Sequence, residues 1–76
     1  MQKWILKIDN SVMEGDTAEQ VITDIYKSAR FADATIEEYR ASFAQRLITY
    51  NGMVVRSSGN QELFDDLVKI GLLIKL

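Results

Sequence analysis

The sequence predicts a small α+β domain, a three-stranded sheet with helices packed on one face, in the order β-α-α-β-α-β. Three observations carry this reading: a period-two alternation near the start, two threonine-led helix-start boxes each followed by an apolar stripe, and branched apolar runs set off by glycine after residue 50. The 76 residues leave room for a single domain over 1–76, with no repeat, low-complexity run or proline. An apolar share of 47% and a charged share of 26% are ordinary for a globular chain, so a packed core is expected. A chain this short buries only about 60% of the surface its unfolded form exposes, so the stability margin is expected to be thin.

Residues 3–9 set Trp4, Leu6 and Ile8 against Lys3, Ile5, Lys7 and Asp9, the alternation of a half-buried strand. Residues 10–16, with Asn10, Ser11 and Gly15, supply turn chemistry. Thr17-Ala18-Glu19-Gln20 reads as a capping box, with the threonine hydroxyl taking an orphan backbone N–H and the glutamine reaching back. The helix it opens gathers Ala18, Val21, Ile22, Ile25, Tyr26 and Ala29 in one arc, and the pattern fades after Arg30. A second box, Thr35-Ile36-Glu37-Glu38, opens a helix whose arc holds Ile36, Tyr39, Phe43, Leu47 and Tyr50, closed by Asn51-Gly52. Residues 53–57, Met-Val-Val-Arg-Ser, predict the second strand. After a turn and cap at residues 58–60, residues 61–70 form the third helix, with Leu63, Phe64, Leu67, Val68 and Ile70 inward. Gly71 stops it, and residues 72–76 form the last strand.

The residue inventory excludes much chemistry. Without cysteine there is no disulfide, redox thiol or thiolate ligand, and without histidine the usual general base and commonest metal ligand are both missing. No enzyme, cofactor or metal is expected. Glu62, Asp65 and Asp66 are the densest acidic group, but they sit in the first turns of a helix, where negative charge favours the dipole, and Asp65 precedes Lys69 by four residues. Gly52 and Gly59 stand alone, without the spacing of a phosphate-binding loop. No run approaches the ~20 apolar residues of a membrane span, and Met1-Gln2-Lys3-Trp4 lacks the layout of a signal peptide, so the expected place is the cytoplasm with no membrane partner.

Charge is unevenly spread. Residues 1–38 carry 4 basic and 8 acidic side chains, and residues 39–76 carry 5 basic and 3 acidic, around a net −2. Arg40 is the odd residue, falling inside the apolar arc of the second helix; its stem is expected to lie on the core and its head to meet a carboxylate. With Tyr39 and Arg46 it also has the composition of an interface anchor. If Trp4, Leu6, Ile8, Leu72, Ile74 and Leu76 face inward, the outward set is Lys3, Ile5, Lys7, Leu73 and Lys75, joined by Arg56: a basic sheet face. A helix-turn-helix over residues 17–50 has the right size, but its second helix opens with Glu37 and Glu38, which phosphates repel.

The expectation is therefore a non-enzymatic module that binds a larger protein or complex, through Tyr39, Arg40 and Arg46 or through Lys3, Lys7 and Lys75. Size and missing chemistry suit a small accessory or phage-encoded inhibitor or adaptor that occludes its partner, the anti-CRISPR kind included, although no motif marks it. The alternative is a nucleic-acid binder using the basic sheet face or a degenerate helix-turn-helix.

Overall fold

The computed structural model describes residues 2–28 and 35–76. The expected end of the first helix, with Ala29 and Arg30, and the link to the second lie outside the described residues.

The chain opens with a hairpin, β1 (Lys3–Leu6) and β2 (Ser11–Glu14), paired antiparallel with Trp4 opposite Met13 and Leu6 opposite Ser11. Residues 7–10 make the turn, helped by Asn10 at φ 60° and by the Asp9 carboxylate, which accepts the Ser11 N–H at 3.0 Å. Then come α1 (Ala18–Ser28), α2 (Ile36–Arg46), a single π-helical turn at Leu47–Asn51 that continues α2, α3 (Asn60–Lys69), and β3 (Leu73–Lys75). The sheet order is β2-β1-β3, antiparallel throughout.

The α+β class, the number of strands and helices, three of each, and the terminal strand agree with the sequence reading. The second strand does not: it is Ser11–Glu14, within the segment expected to be turn. Residues 53–57, expected to be that strand, form an irregular strap instead. Within it Val55 is buried, the Arg56 N–H donates to Asp66 Oδ2 at 2.8 Å, and the Ser57 carbonyl accepts from Arg40. Side chains on both flanking helices thus satisfy the Arg56 N–H and the Ser57 carbonyl without a sheet.

The capping boxes work close to expectation. Thr17 Oγ1 accepts the Gln20 N–H at 3.2 Å, and Gln20 Oε1 accepts from the N–H of Asp16, one residue before the cap. Thr35 Oγ1 accepts the Glu38 N–H at 3.2 Å. Gly52 at φ 67° and Gly71 at φ 82° end their helices in the left-handed conformation that glycine adopts without strain. Asn60 does not cap α3; its side chain turns to Arg40 instead.

One core joins all elements: Leu6, Met13 and Leu73 from the sheet meet Val21, Ile22 and Ile25 of α1, Phe43 and Leu47 of the second helical segment, and Leu63 and Leu67 of α3. Trp4 packs edge-on against Phe64, centroids 5.1 Å apart, and donates its indole N–H to the Gly15 carbonyl. Asp24 Oδ2 accepts the Glu14 N–H at 3.0 Å, fastening the edge strand β2 to α1.

Several orientations differ from the sequence reading: Val68 and Leu76, both expected inward, are 41% and 66% exposed. In β3 it is Leu73 that is buried, opposite Leu6, while Ile74 lies opposite Ile5 on the outer face. Ile8 is not on a strand but in the turn, exposed. A shift of one residue exchanges the faces of a strand, and β3 has only three residues with an apolar side chain at both Leu73 and Ile74, so hydrophobicity alone does not fix its phase.

Candidate functional site

The residues singled out in the sequence separate into three places. Lys3 lies on the outer sheet face directly opposite Glu14, Lys7 is in the hairpin turn, and Lys75 pairs with Trp4 and so shares the side of Leu73. The basic sheet face is therefore not assembled. In its place an apolar row crosses the sheet, Val12 (52% exposed), Ile5 and Ile74 (43% exposed).

Arg40 is buried, 7% exposed, as its place in the apolar arc implies. Its guanidinium is not met by a carboxylate. Nε donates to the Ser57 carbonyl at 3.2 Å and Nη1 to Asn60 Oδ1, so neutral oxygens from the strap and the start of α3 hold it. This arginine ties α2 to the segment it faces.

Tyr39 and Arg46 do come together. Tyr39 is buried in a ladder of rings, 5.4 Å from Tyr26 and 5.9 Å from Phe43, and the Arg46 guanidinium lies over its face at 5.8 Å from the centroid. Both residues line a cleft of about 620 Å³ between the hairpin and the second helical segment. Its apolar lining comes from Leu6, Met13, Ile25, Phe43 and Leu47, and Ile8, Asp9, Arg46 and Tyr50 also border it.

Tyr50 is the residue that sequence reasoning misplaced. On a continuous α-helix it falls with Phe43 and Leu47, yet it is 80% exposed. The π turn is the cause, because i→i+5 bonding adds a residue to the turn and rotates the later residues out of the α-helical phase. The result is a tyrosine displayed beside an apolar cleft rather than buried in it. Ile8 and Asp9 join the same rim because the turn begins three residues earlier than the alternation suggested; the adjacent Asp9-Asn10 pair was the available signal.

The acidic group on α3 is committed within the fold. Asp66 accepts a bidentate contact from Arg56, Nε to Oδ2 at 3.1 Å and Nη2 to Oδ1 at 3.0 Å, which holds its carboxyl below the usual range and raises the guanidinium. Asp65 accepts from Gln61 Nε2 at 2.8 Å rather than from Lys69, and Ser58 Oγ donates to Glu62. Among the described residues no cluster has the make-up of a metal site, and no helix is long and apolar enough to cross a membrane.

With this geometry in hand, comparison with known proteins gives no match: no family model fits the sequence, and neither a curated protein nor a solved structure shows significant similarity.

Proposed function

We propose that the chain is a non-enzymatic binding module that engages a larger protein through the cleft between its hairpin and the second helical segment. One observation carries this reading: Tyr50, Arg46 and Ile8 stand exposed around an apolar cleft whose lining is part of the core. Tyrosine and arginine around a desolvated pocket is the composition of interface hot spots, where a few anchors supply most of the binding energy. The surrounding fold holds that cleft in shape, since Phe43 and Leu47 belong to the same core as Leu6 and Met13. Small size then suits action by occlusion, the chain covering a functional surface of its partner as an accessory protein or inhibitor does. Lys3, Lys7 and Lys75 lie in different places, which leaves the nucleic-acid alternative without a continuous basic surface on the sheet.

The test is affinity capture from expressing cells with the tagged protein, a Tyr50→Ala/Arg46→Ala double variant and a Lys3→Glu/Lys7→Glu/Lys75→Glu triple variant, each with and without nuclease. Proteins should be captured by the parent and the lysine variant, withstand nuclease, and be lost with the double variant. Capture that survives the double variant but disappears with nuclease or with the lysine reversals would instead assign the chain to nucleic acid.

A further inference from the structure

The cleft has an electrostatic polarity that narrows what can fill it, and this inference rests on the reading of the cleft as a protein-binding site. Arg46 is its one cationic side chain among the described residues, and no described carboxylate lies within ion-pair distance of it. Its guanidinium lies 5.8 Å from the centroid of the Tyr39 ring, and no described residue accepts a hydrogen bond from its N–H edge. That edge is a planar fork matched to a carboxylate. Asp9 borders the same cleft, its Oδ1 held by both the N–H and the hydroxyl of Ser11, so its negative charge is fixed in position. Beside these two poles lies the apolar lining of Leu6, Met13, Ile25, Phe43 and Leu47.

We infer that the occupant is a short segment of a partner protein bearing a bulky apolar side chain with an aspartate or glutamate next to it, the apolar group entering the cleft and the carboxylate meeting Arg46. The volume of about 620 Å³ falls within the range of sites that enclose a bulky group. A basic segment would meet Arg46 with like charge. A polyphosphate backbone would find one cation, a fixed carboxylate and an apolar lining, whereas nucleic-acid sites carry many cations along a groove. The acid of the occupant sits toward Arg46 and away from Asp9, so the site also has a direction.

The experiment is selection of a displayed random dodecapeptide library on the immobilised protein, in parallel on the parent, Arg46→Glu and Arg46→Gln, with affinities then measured for the enriched peptide and for its acid-to-lysine counterpart. Arg46 is exposed, and melting curves confirm that each variant is folded. Enriched peptides should share an apolar residue with an acid within two positions, lose tenfold or more in affinity for Arg46→Glu and less for Arg46→Gln. The lysine counterpart should recover affinity for Arg46→Glu, a reversal that mere loss of packing does not produce. Amide signals of Ile8, Met13, Phe43 and Tyr50 should shift on titration. Peptides that shift these signals without an acidic preference overturn the inference and leave the protein-binding cleft standing; shifts elsewhere, or no enrichment at all, sink both. Self-association that disappears in Arg46→Glu would put a second copy in the cleft and overturn the inference as well.

Discussion

Arg40 shows how one residue reconciles charge with burial. Its wheel position places it in the core, and the cost of desolvating the guanidinium is met by the Ser57 carbonyl and Asn60 Oδ1. Arg40→Met keeps the stem but strips donors from two acceptors, at an expected cost of about 1–3 kcal/mol. Arg40→Glu sets a carboxylate against two oxygens, and a loss of about 3–5 kcal/mol is expected, enough to unfold a domain this small; urea titration of both variants checks the ranking. Gly15 is a second constrained position, since a Cβ there would stand 2.8 Å from Gln20 Cβ and 2.9 Å from the Val21 backbone nitrogen. Gly15→Ala should cost about 1–3 kcal/mol by overpacking, read as a lower melting temperature. Asp66 acts through protonation. Its folded pKa is depressed by the Arg56 hydrogen bonds, so the stability it contributes is present above the ordinary aspartate value and is lost as pH falls below about 4 toward the folded value. Asp66→Asn should flatten the melting temperature against pH in that acid window, and salt should shrink the difference from the parent protein at neutral pH, because the Arg56 side of the pair is exposed.

At the scale of elements, the helices were legible and the sheet was only partly so. Helix starts are written locally in Thr17 and Thr35, whose hydroxyls satisfy backbone donors three residues on, and helix stops in Gly52 and Gly71. Strands depend on what pairs with them. Ser11–Glu14 has too few residues and too little alternation to announce itself, yet it pairs with β1 because the Asp9-Asn10 turn folds it back. Residues 53–57 have a strand's composition but meet Asp66 and Arg40 before any sheet edge. The terminal strand was legible from Gly71 onward, and it completes both sheet and core, with the Leu76 N–H donating to the Lys3 carbonyl and Leu73 fully buried. Deleting residues 72–76 should therefore abolish the cooperative unfolding transition; a truncated protein with the parent's melting curve would show that β3 is dispensable.

At the scale of the molecule, the core fixes the cleft and the surface supplies its chemistry, so binding and stability are separable. Tyr50→Ala with Arg46→Ala removes exposed groups and should leave the unfolding free energy within about 0.5 kcal/mol of the parent while abolishing capture; loss of folding in this variant would mean that the rim is part of the core. The sequence alone determined the α+β class, the helix starts and stops, the burial of Arg40 and the absence of thiol and imidazole chemistry, because capping, periodicity and residue inventory act over a few neighbours. Tertiary structure decided which strand joined the sheet, which side of β3 faced the helices and where Tyr50 pointed. Each of those depends on partners far along the chain or, for Tyr50, on a π turn that no local pattern distinguishes from α-helix. The cleft belongs to this second group, since Asp9 and Arg46 are 37 positions apart and share a rim only after the hairpin packs against the second helical segment.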